Sequence, residues 1–326
     1  MSAKNRRRGG ERFRIPIGDT HQLRTGFEFT QRKGVTEERF SYAGRNFTKQ
    51  REAGGRQSTV AVFLHETWRP NNKWEVSTGT RLDFQRDFYG SLREWKIVDG
   101  SSTLTRNFAD RTQLNPQLSL ASKWSPSHTL DCTASAYFGA RNPTLNELYR
   151  PYRVGNLITI ANAELKPEKS LGTEWSLQWR PIAKTLVRAR AFANQMSDAI
   201  ANLTLRRGPG TFPDWGVIPA GGTGARRENI ESASVCGLEC GIEQTLPLGL
   251  TVNASWLSTR SRVERCTLQS SLEGRRLPQV PVHQGNIRIQ GDHNSWNWTA
   301  TLRYVGGQFD DDSNQYRLSS YITLDA

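Results

Sequence analysis

Phe138-Gly139-Ala140-Arg141-Asn142-Pro143-Thr144-Leu145-Asn146-Glu147-Leu148-Tyr149-Arg150 and, after a short interval, Asn162-Ala163-Glu164-Leu165-Lys166-Pro167-Glu168-Lys169 lie between two segments of alternating hydrophobicity. Before them Leu130, Cys132, Ala134, Ala136 and Phe138 fall on one face of an extended chain, and after them Trp175, Leu177 and Trp179 do the same. Successive side chains of a strand point to opposite faces, so this period of two marks strands with one apolar face. The quoted stretch is therefore a long excursion from the end of one strand to the start of the next.

The same alternation extends outward in both directions. Trp74, Val76, Thr78, Thr80, Leu82 and Phe84 alternate with Glu75, Ser77, Gly79, Arg81, Asp83 and Gln85 without exception. Arg69-Pro70-Asn71-Asn72-Lys73 is a turn by composition and joins this strand to Thr59–Trp68. Further short turns are expected at Ser125-Pro126-Ser127-His128, Arg180 to Lys184, Leu246-Pro247-Leu248-Gly249 and Asp292-His293-Asn294-Ser295. Upstream, His21 to Thr30 reads as a strand and the polar run Gln31 to Gln57 as a long loop; downstream, Leu318 to Leu324 is a last strand.

The other connections, Asp87 to Thr112, Arg141 to Ser170, Ala201 to Arg227 and Thr259 to His283, are all long. A soluble sandwich has no reason to keep its long connections at one end, whereas bacterial outer-membrane barrels have short turns on one side and long loops on the other. Trp68, Trp74, Trp124 and Trp179 flank the short turns and are expected near one rim, as girdle aromatics. The fold expected is all-β, an antiparallel meander of about 12 strands.

The quoted stretch resembles the late barrel of the outer-membrane TonB-dependent receptors. There a strand runs into an aromatic-x-x-Arg-x-Pro-Thr-x-x-Glu-Leu-Tyr segment, and the next strand is announced by Asn-x-x-Leu-Lys-Pro-Glu. The matching positions are Arg141, Asn142, Pro143, Thr144, Glu147, Leu148 and Tyr149, then Asn162, Leu165, Lys166, Pro167 and Glu168. The resemblance implies that the meander is part of a 22-stranded transmembrane β-barrel. It also implies an amino-terminal plug that carries an energy-coupling segment. Nothing in the 326 residues matches the plug, the early strands or the final strands, so the resemblance covers about half of a receptor. Residues 1–20 are expected to be a basic segment outside any domain, and residues 21–326 the partial barrel.

Composition fits a sheet whose apolar layer is one residue thick. Only 36% of residues are hydrophobic, yet 10 Trp, 8 Tyr and 13 Phe are present, and a disordered chain lacks aromatics on that scale. Helical spans are excluded, because the longest apolar run of note is Val60-Ala61-Val62-Phe63-Leu64, far short of the roughly 18 residues needed. The net charge of +13 and the cluster Arg6-Arg7-Arg8 raise nucleic-acid binding as a rival, but no recognition helix or RNA-binding motif accompanies them. Met1-Ser2-Ala3-Lys4 leads into arginines and not into an apolar segment, so no signal peptide is expected in this chain.

Catalytic signatures are missing. There is no G-x-S-x-G, H-E-x-x-H or P-loop. Glu164 and Glu168 read as loop caps, Asp310-Asp311-Asp312-Ser313-Asn314 as a solvated loop, and Gly221-Gly222-Thr223-Gly224 as a flexible one. The four cysteines (Cys132, Cys236, Cys240, Cys266) and five histidines show no ligand spacing, so neither metal nor cofactor is expected.

The function expected is that of an outer-membrane receptor or transporter, here a fragment, for energy-coupled uptake of a scarce ligand such as a ferric siderophore. The alternative is a passive porin-like or structural barrel, which explains the strands but not the Arg141–Glu168 stretch. The long loops are rich in arginine, whose planar fork suits carboxylate and phosphate. Arg206, Arg207, Arg226 and Arg227 are the candidate contacts to an anionic or iron-chelate ligand. The partners expected are outer-membrane lipid and lipopolysaccharide, that small ligand and, in a full-length receptor, the inner-membrane TonB complex.

Overall fold

The computed structural model describes residues 2–293 and 296–326. Its strands are β1 (Ser2–Ile17), β2 (His21–Ala43), β3 (Asn46–Asn71), β4 (Trp74–Lys96), β5 (Ser102–Asn107), β6 (Arg111–Ser127) and β7 (Leu130–Arg141). A five-residue helix α1 (Leu145–Tyr149) follows, then β8 (Tyr152–Val154), β9 (Leu157–Ile160), β10 (Glu168–Trp179), β11 (Thr185–Arg207), β12 (Gly210–Phe212) and β13 (Gly216–Ile218). The chain ends with β14 (Thr223–Thr245), β15 (Leu250–Arg265), β16 (His283–His293), β17 (Trp296–Val305), β18 (Gln308–Phe309), β19 (Arg317–Leu318) and β20 (Tyr321–Asp325).

Among the described residues one 16-stranded sheet runs in the order β1-β2-β3-β4-β6-β7-β10-β11-β14-β15-β16-β17-β20, with β5, β8 and β9 attached beside that path. The pairs along the path are antiparallel, which is the expected meander with one more strand than anticipated. Its turns alternate between two ends. At the short-turn end neighbouring turns are tied by backbone hydrogen bonds: Arg69 N–H to Thr20 O, Ser125 N–H to Lys73 O, Arg180 N–H to Thr129 O and Thr245 N–H to Lys184 O. Trp74 pairs with Trp124 and stacks on it at 5.9 Å, Trp68 stacks on His21, and Trp179 pairs with Leu130 beside the next turn. All four tryptophans thus lie at one rim. The turn expected at 292–295 includes Asn294 and Ser295, which lie outside the described residues.

Registration stacks the apolar face across strands. Phe29, Val60, Phe84 and Leu114 are successive partners from β2 to β6, and so are Phe27, Val62 and Leu82 from β2 to β4. These side chains remain exposed, Phe84 at 49% and Leu114 at 61%. Water does not tolerate a contiguous apolar belt of this kind, but lipid does. The opposite face carries ion pairs, among them Arg81 to both Glu28 (3.1 Å) and Asp83 (2.8 Å). That face is the inner wall.

Three expectations need correction. Residues 1–20 are not outside the fold, since β1 pairs with β2 along its whole length and Arg8 and Arg12 both reach Glu28. Gln31 to Gln57 is not a loop, because β2 and β3 stay paired up to a tight turn at Gly44-Arg45, where Gly44 adopts φ +61°. Likewise β4, β11 and β14 run deep into the segments expected as loops. A transmembrane strand needs only about 9–11 residues, and β4 has 23. Beyond the lipid no face has to be apolar, so the ladder continues while the alternation that announces it disappears. Long connections do persist at 142–167 and 266–282.

The apolar cores are small and lie at the long-connection end. Ala199, Leu203, Ile230, Val263, Cys266 and Leu272 form one, between the ends of β11, β14 and β15 and the segment Thr267–Leu272. Leu148, Tyr149 and Leu165 form the other. Asp310–Asn314 is tied down as well: Asp312 accepts from Thr204 N–H (2.8 Å) and Oγ1 (3.1 Å), and Asn314 exchanges hydrogen bonds with the Arg276 backbone.

Candidate functional site

Where β7 ends, the chain folds back on the inner wall. Thr144 caps α1: its hydroxyl accepts from Glu147 N–H, and the Glu147 carboxylate accepts from Thr144 N–H at 2.7 Å. This capping box satisfies two backbone donors that the first turn of a helix leaves without partners. Arg141 then joins three elements. Its two terminal nitrogens donate to the two Glu147 oxygens at 3.0 and 3.1 Å, and its Nε donates to Glu168, which is its register partner on β10. The other Glu168 oxygen accepts from Ile200 N–H at 2.8 Å on β11. Glu168 is thus a bridge and not a solvated charge. Burial pushes the Glu147 carboxyl up, but the hydrogen bonds from Arg141 and Thr144 outweigh it and hold the group below the ordinary 4.5.

Tyr149 is the anchor of the apolar core. It is 1% exposed, and its ring stacks on Phe108 at 5.0 Å. The ring covers the backbone of Gly55 and Gly90, where a Cβ would stand 3.0 and 2.5 Å from its atoms. Only glycine leaves that space. Burial pushes the Tyr149 hydroxyl up to about 12.

Polar side chains of the inner wall hold the rest of the loop. Gln57 Nε2 donates to Pro143 O (2.8 Å), Asn142 Nδ2 to Gln85 Oε1 (3.0 Å) and Asn115 Nδ2 to Asn142 Oδ1 (2.8 Å). Arg111 donates to Ala163 O at 2.6 Å and also to Leu165 O, while its Nε lies 3.5 Å from the buried carboxylate of Asp87. Asn162 Nδ2 reaches Arg227 O at 3.0 Å, and Lys166 trades backbone hydrogen bonds with the Asn229 side chain.

The structure brings the motif residues together, with the side chains of Arg141, Asn142, Thr144, Glu147, Leu148, Tyr149, Asn162, Leu165 and Glu168 in one packed unit and Pro143 and Lys166 engaged through their backbones. The partners that hold it, Gly55, Gln57, Gln85, Asp87, Gly90, Arg111, Asn115 and Asn229, were not identified from sequence. Nothing local marks them, because each lies on a distant strand and only the register places it under the loop.

The four candidate ligand arginines are neighbours across β11 and β14, with different surroundings. Arg226 pairs with Glu228, and Arg227 donates to Asn146 O (2.5 Å) and Arg150 O (2.9 Å) while its guanidinium lies 5.1 Å from the Tyr152 ring centre. Arg206 and Arg207 are exposed. Arg206 lies over the rings of Phe212 and Trp215 at 5.9 and 5.8 Å, and Arg207 donates to Ser313 Oγ. Arg111, Arg141 and Arg150, which lie in the segments expected as long loops, are committed within the protein, Arg111 to Ala163 O, Arg141 to Glu147 and Glu168, and Arg150 to Glu38. Among the described residues no group of three or more His, Cys, Asp or Glu side chains could hold a metal ion.

Residues 3–326 match the model of a family described as TonB dependent receptor-like, beta-barrel. A curated relative, the iron-regulated outer membrane virulence protein of Vibrio cholerae serotype O1, is 24% identical over 259 residues, which are 76% of this chain and 33% of that protein. Among solved structures, the copper transporter OprC superposes with a TM-score of 0.70 at 17% identity, over 99% of this chain and 48% of that one. The ferric yersiniabactin uptake receptor FyuA from Yersinia pestis gives 0.68 at 16% identity, over 99% and 46%. At such identities these structures speak for the fold. The chain spans about a third of the length of the curated relatives it matches. With the apolar belt, the polar inner wall and the motif loop in place, the match over almost its whole length shows that this chain belongs to the TonB-dependent receptor-like β-barrel family.

Proposed function

We propose that this chain forms the wall of an outer-membrane receptor that, in its full-length form, takes up a scarce anionic ligand such as a ferric siderophore, with energy relayed by the inner-membrane TonB complex. The observation that carries this reading is the motif loop packed on the inner wall at the long-connection end. A passive pore needs neither the Arg141–Glu147–Glu168 joint nor the Tyr149 socket. The printed names agree with it, an iron-regulated outer membrane virulence protein for the curated relative and a ferric yersiniabactin uptake receptor for a protein of the same fold.

Within the wall the ligand-facing cations are Arg206 and Arg207, both exposed, with Arg206 over the rings of Phe212 and Trp215 and Arg207 beside Ser313. Arg226 and Arg227 shape the wall behind them through Glu228 and the α1 carbonyls. The test uses the full-length receptor: R206Q/R207Q is compared with the parent for affinity to a ferric siderophore over a range of salt. Two lost charge-assisted contacts weaken binding by about 10- to 100-fold at low salt and flatten its salt dependence. Unchanged affinity and unchanged salt slope would remove these arginines from the ligand site.

A further inference from the structure

We infer that residues 150–160 of the motif loop are a strap across the inner side of the sheet, joined through Arg150 to β2 and β14, that fixes the width of the wall above the lipid and so positions Arg206 and Arg207. The last clause rests on the ligand reading above; the strap itself does not. Arg150 Nε donates to Glu38 on β2 at 2.8 Å, while the Arg150 carbonyl accepts from Arg227 on β14 at 2.9 Å. Between those two strands stand β3, β4, β6, β7, β10 and β11. Seven strand spacings make about 34 Å along the sheet. The link from the Glu38 backbone through Arg150 to the Arg227 backbone is at most roughly 26 Å at ordinary bond lengths and hydrogen-bond distances. The sheet between must therefore bow away from the link.

Each end is anchored more than once. On the near side Arg51 of β3 donates to Pro151 O at 3.3 Å and lies 3.9 Å from Glu38. On the far side Asn202 of β11 donates to the Tyr152 hydroxyl at 3.0 Å, and β9 pairs in parallel with the start of β14, Leu157 to Ile160 beside Thr223 to Arg226. The ladder to β11 already occupies one edge of β14 there, so β9 holds the other. A chain that leaves β7 and returns to β10 reaches that edge only by crossing over β10 and β11.

Height gives the strap its role. Glu38 stands 17 residues beyond His21 at the short-turn rim. At a strand tilt of about 40° that is roughly 43 Å of height, well past an apolar band about 25 Å tall. Both faces of the wall are wet there, and no lipid presses on it. Arg206 and Arg207 pair with Gly224 and Thr223, the residues that β9 also grips, so the strap sets how far these two guanidiniums stand from β2 to β4.

The test places two spin labels on the full-length receptor in bilayers, at exposed Arg39 beside Glu38 and exposed Ala220 just before β14, each as an unnatural amino acid that leaves the native cysteines alone. A second pair at Leu82 and Leu238 reports the membrane level. Double electron–electron resonance is read for the parent, for E38Q/R150Q, which opens the near end, and for Ile158→Pro, which breaks the β9 ladder. Neither variant changes the net charge. The expected result is a narrow distance from 39 to 220 in the parent that lengthens and broadens in both variants, with the distance from 82 to 238 unmoved. Ferric siderophore affinity falls roughly 10-fold in both, and its salt slope is kept because Arg206 and Arg207 remain. A parental distance from 39 to 220 in either folded variant, or equal shifts at both levels, would overturn the strap, and shifted distances with parental affinity would overturn the positioning. E38Q/R150Q leaves the backbone untouched, so the test stands even where Ile158→Pro does not fold. The distances need no ligand, so failure of the strap is distinguishable from failure of the ligand reading, which R206Q/R207Q decides.

Discussion

The two halves of β4 follow different rules. From Trp74 to Phe84 every second residue is apolar or a threonine and looks outward, and the strand could be drawn from sequence alone. From Gln85 to Lys96 the ladder to β3 continues, with a register shift between Gly54 and Arg56, but the alternation is gone. In the first half lipid sets the pattern, one face at a time. In the second half the residues are chosen by what lands on them: Gln85 and Asp87 by Asn142 and Arg111, and Gly90 by the ring of Tyr149.

The largest effect separating the halves is expected from Tyr149→Ala. Emptying a buried aromatic site costs about 3–5 kcal/mol, enough here to free the 142–167 loop from the wall, seen as new protease cleavage within it while the rim tryptophans keep their fluorescence. If cleavage does not change, the core around Tyr149 is not what holds the loop. In the lipid half, Leu82→Arg costs about 2–4 kcal/mol when the side chain faces the membrane midplane, read as lower stability to urea in bilayers. A neutral outcome would place β4 the other way round.

Gly90→Ala is the next test, since its methyl would collide with the Tyr149 ring at 2.5 Å. Overpacking costs about 1–3 kcal/mol, whereas Gly139→Ala, with nothing within 4 Å of the added atom, should be nearly silent. Comparable losses at both glycines would remove the socket. The smallest effect concerns pH. Glu147 has a folded-state value below the ordinary 4.5, so its contribution is fully present above 4.5 and is lost as pH falls through the folded value. Protease resistance of the loop should therefore weaken at acid pH below 4.5, and E147Q should flatten that part of the profile.

What was legible follows the same division. The meander, its short turns and the tryptophan rim have a local signature, a period of two broken by turn residues, whereas Thr144 and Glu147 carry the spacing of three that starts a helix although only a loop was expected there. The strand extensions had none, because a paired strand with water on both sides needs no hydrophobic period. β1 was hidden by its arginines, which look like a tail until Glu28 is seen across from them. The motif loop announced itself but not its partners: Asn229 is 63 residues from Lys166, and only the register of β11 with β14 brings it near.

One measurement reaches furthest: a nitroxide scan of residues 74–96 in the full-length receptor in bilayers, comparing collisions with oxygen, which favours lipid, and with a nickel chelate, which favours water. Oxygen accessibility should peak at Val76, Thr78, Thr80, Leu82 and Phe84 and dip at Glu75, Ser77, Arg81 and Asp83, then lose its period beyond Gln85. An unbroken period to Trp95, or peaks on the Arg81 side, would contradict a wall whose outer face meets lipid only along its first half.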